Sequence, residues 1–245
     1  MIGVYDSGLG GMMLLPNLLK QFPNEKFLYL GDRERAPYGN KSKAELEKII
    51  ALNHDFLRQE KITDLIYACN TLCSVVDFSK DEGFCKHDII FKTAAQIKLD
   101  ADAKILVFAT PLTIQMGRYE KELKRLGYHS IIAHPLTSLA KLIENFTDES
   151  IIEEYLASEF EKLPKDIDGI ILGCTHFPIV QNIFKKYYPN AEIYDSNHLS
   201  YDLNLKNEGS KVIICSKKEK ALDEFINKYV KIDYCYYEEN CSNIR

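Results

Sequence analysis

Two stretches of the chain, "DLIYACNT" (residues 64–71) and "DGIILGCTH" (168–176), share an unusual build. Each starts with aspartate, runs through apolar residues and ends in a cysteine followed by side chains that hydrogen-bond. A buried strand gains nothing structural from such an ending, but ligands of open α/β sheets bind beyond the carboxyl ends of strands. A thiol at a strand-to-helix junction can be turned toward its reactive thiolate by the helix N-terminus or a nearby cation. Cys69 and Cys174 are therefore candidate acid/base groups. A lone cysteine is ordinarily a small buried residue; two in matching contexts favour chemistry. Cys73, one helical turn after Cys69, is read as core, and Cys85, Cys215, Cys235 and Cys241 as structural or surface residues.

Further candidates cluster near other strand ends. In "YDSGLGG", Gly8, Gly10 and Gly11 permit close backbone approach and positive φ, so the loop can offer amides to an anion while Asp6 holds an amine or a thiol proton and Ser7 sits beside it. His176 can orient or protonate Cys174, or share a proton with a carboxylate such as Glu144. "GDRERAPYGN" places Asp32, Tyr38, Gly39 and Asn40 in a turn suited to a lid or an anion clamp.

Other chemistries lack their residues. There is no GxGxxG fingerprint or Walker lysine for a nucleotide, and no HxxxH or HExxH spacing for a metal. Cys69 is not followed by the arginine-ended loop of a cysteine phosphatase, and acyl transfer by one nucleophile leaves the second cysteine unexplained. Two thiols facing each other across a small anionic ligand suit one reaction well. One removes a proton from a chiral carbon, the other returns a proton to the opposite face, and the stereocentre inverts.

The elements that must position these residues alternate as short apolar runs and longer amphipathic stretches, the pattern of an α/β fold with mainly parallel sheets. Strands are expected near Ile2 to Tyr5, Lys26 to Leu30, Leu65 to Ala68, Lys104 to Phe108, Ser130 to Ala133 and Gly169 to Leu172. The clearest helix starts at Ser42, with Glu45 as capping-box partner and an apolar stripe of Leu46, Ile49, Ile50 and Phe56. Asp6, Asp32 and Cys69 close the first three strands 26 and 37 residues apart, and Ala109, His134 and Cys174 the next three 25 and 40 apart, which implies two similar halves. Residues 1–92 form the first subdomain and 93–207 the second, with a cleft between them. The tail, 208–245, with a strand in "KVIICS" and a helix in "KEKALDEFINKYV", returns to the first.

Composition fits this picture. A chain of 245 residues with 46% hydrophobic residues can build one large or two small cores. A net charge of −5, with lysine and arginine dispersed, argues against a nucleic-acid surface, so an anionic ligand must be met locally. The N-terminus lacks signal-peptide regions and no run reaches the ~20 apolar residues of a membrane span. A cytoplasmic protein with reduced thiols is expected, since seven cysteines without paired CxxC spacing suggest neither a disulfide framework nor a zinc site.

The segments "IGVYDSGLGG", "YLGDRERAPYGNKS", "YACNT", "ATPLT" and "LGCTHFP" together resemble bacterial glutamate racemases of the cofactor-independent aspartate/glutamate racemase superfamily, over about Met1 to Ser196. The resemblance implies two pseudo-symmetric α/β subdomains with glutamate bound between them, no cofactor, and D-glutamate made for peptidoglycan. It implies Cys69 and Cys174 as the acid/base pair, assisted by Asp6 and His176 respectively. Ser7, Tyr38, Gly39, Asn40, Asn70, Thr71, Thr113 and Thr175 would then hold the ammonium and the two carboxylates, with Asp32 and Glu144 behind them. Aspartate or another acidic amino acid as substrate, or a non-catalytic amino-acid-binding paralogue, are the competing readings. The resemblance is compatible with a homodimer, and no segment marks its interface. Two departures stand out: Arg33-Glu34-Arg35 replaces the family's usual Thr-Ala-Arg, and His134-Pro135 replaces a frequent Cys-Pro. His134 is read as a structural replacement.

Overall fold

The computed structural model describes residues 1–206 and 209–237; Cys241 and the point at which the tail was expected to begin, residues 207 and 208, lie outside the described residues. The strands are β1 (Ile2–Asp6), β2 (Lys26–Gly31), β3 (Asp64–Tyr67), β4 (Cys85–Asp88), β5 (Ile105–Ala109), β6 (Ile131–Pro135), β7 (Gly169–Gly173), β8 (Glu192–Tyr194), β9 (Lys211–Ser216) and β10 (Cys235–Tyr236). The helices are α1 (Leu15–Gln21), α2 (Lys43–Gln59), α3 (Asn70–Val75), α4 (Ile89–Ala95), α5 (Pro111–Met116), α6 (Arg118–Arg125), α7 (Leu139–Glu144), α8 (Glu149–Phe160), α9 (Gln181–Tyr187) and α10 (Lys220–Phe225).

Two sheets result, ordered β10-β9-β2-β1-β3-β4 and β6-β5-β7-β8, and every pairing is parallel. Within each, the opening strand is flanked by the second on one side and the third on the other, so β2-β1-β3-β4 and β6-β5-β7-β8 have the same order. Such an order has its topological switch point between the first and third strands, where a crevice opens at their carboxyl ends. Asp6 and Cys69 stand at that crevice in the first sheet, and Thr110 and Cys174 in the second. Strand β9 pairs with β2 along its whole length, from Lys26 opposite Lys211 to Gly31 opposite Ser216.

The strands are apolar because helices cover both faces of parallel sheets. The second sheet packs Phe108 against Phe160 and Phe184 at centroid separations of 5.2 to 5.4 Å. In the first sheet Tyr5, Tyr29 and Tyr67 are buried beside Phe27, and each tyrosine hydroxyl is occupied as burial requires. Tyr29 donates to the Gly8 carbonyl at 2.9 Å, and Tyr67 meets His54 Nε2 at 2.8 Å.

Several expectations need adjustment. The capping box of Ser42 and Glu45 is present, but the buried face of α2 runs through Leu46, Ile50 and Leu57, with Ile49 and Phe56 half-buried. Strands β4, β8 and β10 were not expected; each has two to four residues and no burial on both faces to give it an apolar signature. The helix foreseen over "KEKALDEFINKYV" divides into α10 and a wider π turn at Ile226–Val230. After Cys174 the chain makes a 3-10 turn, Phe177–Val180, before α9 begins. Among the described residues no helix is long and apolar enough to cross a membrane.

Candidate active site

A cavity of about 540 Å³ lies at the strand ends of both sheets, a size suited to a small ligand. From the first half it is lined by Asp6, Ser7, Tyr38, Gly39, Asn40, Cys69, Asn70 and Thr71. From the second half come Glu144, Cys174, Thr175 and His176. The structure thus brings eleven of the twelve expected catalytic and substrate-holding residues to one space, together with Glu144.

Thr113 is the exception. It is buried behind the wall, where its hydroxyl meets Thr110 Oγ1 at 2.8 Å and Thr71 Oγ1 at 3.4 Å. Thr110, the residue that precedes α5, lines the cavity instead. One helical turn separates the two, and Thr110 is the one that faces the cavity. Thr71 and Thr110 also bond to each other, at 2.9 Å, across the two halves. Asp32 likewise stands behind the wall, accepting a 2.5 Å bond from the Tyr38 hydroxyl and one of 3.2 Å from Asn53 Nδ2. Tyr5 joins the same group through Tyr38, at 3.0 Å, so the clamp loop is anchored from beneath by buried hydrogen bonds.

Each thiol has its own hydrogen-bonding neighbour. Cys69 caps the start of α3 and its sulfur lies 3.6 Å from Ser7 Oγ. Burial, reinforced by the charge of Asp6, pushes the Cys69 thiol up to about 12, against the smaller pull of the Leu72 amide and Ser7. Cys174 lies 3.7 Å from His176 Nδ1, and His176 Nε2 lies 2.8 Å from Glu144 Oε1. Burial alone would lower the histidine, but its contacts with Cys174 and Glu144 prevail and hold it well above its ordinary value. A protonated His176 donates at both nitrogens, toward the Cys174 sulfur and toward Glu144. Burial of Glu144 opposes its ionisation, yet His176 and then Arg33 keep it below the ordinary range.

Asp6 does not touch Cys69 in a hydrogen bond. Its Oδ1 accepts from the Gly8 amide at 2.7 Å, and burial raises its carboxyl to about 6, offset in part by His176 and by the Gly8 and Gly11 amides. The glycine loop therefore spends amides on protein carboxylates: Gly8 serves Asp6, and the Leu9 amide reaches Glu144 Oε1 at 3.4 Å. None of Gly8, Gly10 and Gly11 has positive φ. What they provide is room, since a Cβ would lie 2.9 Å from Glu144 Oε1 at Gly8, 2.5 Å from the His176 ring at Gly10 and 2.6 Å from Asp6 Cβ at Gly11.

Sequence reasoning missed Arg33 and Lys141, which add positive charge to the wall. Arg33 Nη2 donates to Glu219 at 2.9 Å and Nη1 lies 3.9 Å from Glu144. The departure from Thr-Ala-Arg at Arg33 was its available signal. His134 points elsewhere: its Nε2 meets Glu159 at 2.7 Å and its ring packs edge-on to Phe108. Among the described residues no group of three or more histidines, cysteines or carboxylates is placed to hold a metal ion. The arrangement offers two thiols, a protonated imidazole, carboxylates for an ammonium group, and hydroxyl and amide donors for carboxylates.

Comparison with known proteins follows the same line. Residues 32–201 match the model of the Asp/Glu/hydantoin racemase family. A glutamate racemase of Persephonella marina is 30% identical over 243 residues, covering 95% of this chain and 94% of that one. The crystal structure of a glutamate racemase isoform from Bacillus anthracis superposes with a TM-score of 0.88 at 27% identity, covering 100% of this chain and 97% of the other. That of a glutamate racemase from Francisella tularensis in complex with D-glutamate gives 0.83 at 25% identity, with 96% and 95% covered.

Proposed function

Because this chain belongs to the Asp/Glu/hydantoin racemase family and is an amino-acid racemase, we propose that it interconverts L- and D-glutamate by proton exchange between Cys69 and Cys174. The observation that carries this reading is the placement of the two cysteines, after the third strand of two identically ordered sets of four strands and in the wall of one cavity. The names of the relatives, among them the enzyme crystallised with D-glutamate, support glutamate as the substrate.

In the L-to-D direction the Cys174 thiolate takes the α-proton: the Cα–H bond breaks, an S–H bond forms, and the electron pair moves into the α-carboxylate. The Cys69 S–H bond then breaks and delivers its proton to the opposite face of Cα, leaving a thiolate on Cys69. The reverse reaction exchanges the roles. Cys69 is prepared for the first of these directions, because a thiol near 12 is ionised at pH 7 in only about one molecule in 10⁵. It rests in the form that donates.

An amino-acid α-proton is far less acidic than a thiol, so matched bases are insufficient alone. Charge that develops on the carboxylate must meet preorganised donors away from water. Thr71, Thr110 and Thr175 line the cavity and can donate to it, while Asp6 and Glu144 balance the ammonium. The product D-glutamate would be made in the cytoplasm for peptidoglycan.

The test is purified protein with L-glutamate in deuterated buffer, followed by optical rotation and by loss of the α-proton resonance. Both signals are expected to change, and Cys69→Ala and Cys174→Ala should each abolish inversion in a folded protein. A full-rate variant at either position overturns the mechanism. Faster turnover of L-aspartate under the same conditions overturns the substrate.

A further inference from the structure

Tyr119 belongs to α6 in the second half, yet its hydroxyl donates to Asn70 Oδ1 in the first at 2.6 Å. Both residues are almost wholly enclosed, at 1% and 2% exposure. Asn70 follows Cys69 directly and lines the cavity, and its Nδ2 has no partner in the protein. An enclosed amide donor without a partner is unusual and calls for a ligand.

The ring of Tyr119 occupies space that only glycine leaves. A Cβ on Gly173 would lie 2.8 Å from Tyr119 Cε2, and Gly173 directly precedes Cys174. Tyr119 therefore runs from the residue before one thiol to the residue after the other. Burial pushes its phenol well above the ordinary range, so the hydroxyl keeps its proton and can donate. With Oδ1 taken by that proton, Asn70 must present its NH₂. Turning the amide over would leave Nδ2 facing the phenol and put a carbonyl oxygen toward the space where substrate carboxylates bind.

We propose that Tyr119 is a positioning residue for substrate: by donating to Asn70 Oδ1 it fixes the Asn70 NH₂ as a donor to a carboxylate of the bound amino acid. This rests on the racemase reading for the ligand, and on Tyr119, Asn70 and Gly173 for the geometry. The side-chain carboxylate of the substrate carries the same charge before and during proton transfer, so loss of a donor to it weakens ground state and transition state alike and falls on KM.

Tyr119→Phe removes one oxygen and keeps the packing. KM for glutamate is expected to rise about tenfold, the scale of a hydrogen bond to a charged group, with kcat within about threefold of wild type. In an Asn70→Ala background the same substitution should change KM little, because the group it positions is gone. A wild-type KM in Tyr119→Phe, or a loss that persists in full without Asn70, overturns the proposal. Should Tyr119→Phe fail to fold, Asn70→Asp keeps the acceptor for the phenol and removes the donor; an unchanged KM there overturns it equally. A readout independent of turnover separates this proposal from the racemase reading: the Asn70 side-chain NH₂ resonance, assigned by its loss in Asn70→Ala, should shift in Tyr119→Phe. An unmoved resonance refutes the role of Tyr119 even in an active enzyme, and a moved one sustains it even if glutamate is the wrong substrate.

Discussion

Asp6→Asn should stabilise the protein at neutral pH, by an amount that grows with pH. Asp6 is 1% exposed at the end of β1, and burial raises its carboxyl from 3.8 to about 6 even with His176 and the Gly8 and Gly11 amides nearby. A carboxyl raised on folding binds its proton more tightly in the folded state, so stability falls as pH rises from 3.8 to about 6 and the penalty stays constant above. The rise from 3.8 to about 6 corresponds to about 3 kcal/mol at pH 7.5, and to about half of that at pH 5. Asparagine cannot ionise and avoids this cost, while its carbonyl oxygen can still accept from Gly8. How well its NH₂ fits adds a pH-independent offset, which cancels when the gain at pH 5 is subtracted from that at pH 7.5. That difference should be about 1.4 kcal/mol in favour of the variant at the higher pH. Urea unfolding of both proteins at the two pH values measures it. A difference of zero, or of opposite sign, would refute the claim that Asp6 is held ionised against its environment. Racemisation by the variant should fall, because the same charge acts on Cys69 and on the ammonium of the substrate.

Two contrasts test the surroundings of the cavity. Gly10→Ala should cost about 1–3 kcal/mol and most of the activity, since its methyl would meet the His176 ring and Thr175 Oγ1 at 2.5 Å. Gly83→Ala, at φ +79° with no atom within 4 Å, should cost about 1–2 kcal/mol through backbone strain alone and leave kcat/KM intact; equal loss of activity in both would remove the packing argument. His134→Ala should lower stability by at most about 1 kcal/mol, because His134 and Glu159 form a partly exposed pair, and should leave racemisation unchanged. A tenfold slower enzyme would place His134 in the reaction after all.

The parts of this molecule that were legible in its sequence are those whose surroundings are dictated from both sides. Strands β1, β2, β3, β5 and β7 are covered on both faces and must be apolar, so their ends, and with them Asp6, Cys69 and Cys174, could be located to within a residue or two. Edge strands such as β4, "CKHD", carry no such constraint and look like loop. The same limit governs the site. Thr110 and Thr113 are equally polar, and only the orientation of α5 decides that Thr110 faces the cavity. Tyr119 reads as one aromatic on an amphipathic helix until the second half is set against the first. The glycines of "DSGLGG" were visible, but not their purpose, because the side chains they accommodate, Glu144 and His176, come from more than 130 residues further along the chain.

Duplicated strand order supplies two similar frames, and inversion at carbon needs them to be similar but not identical. Opposed faces require two thiols; a net proton transfer requires that only one of them hold a proton at the start. The first frame ends β1 in a carboxylate, whose charge together with burial keeps Cys69 protonated. At the matching place, the end of β5, the second frame has Ala109, which carries no charge, and Cys174 instead faces a protonated His176 held by Glu144. In the proposed L-to-D direction, a negative group thus stands near the sulfur that would give its proton and a positive group beside the sulfur that would take one. Hydrogen bonds that join the frames, Thr71 to Thr110 and Tyr119 to Asn70, fix these unequal environments at a set separation. Removing both charges, with Asp6→Asn and His176→Asn in one chain, should leave the two thiols alike and slow inversion more than loss of either partner alone. A double variant no slower than the worse single variant would show that the two charges act on one thiol, and the asymmetry argued from Asp6 and His176 would have to be abandoned.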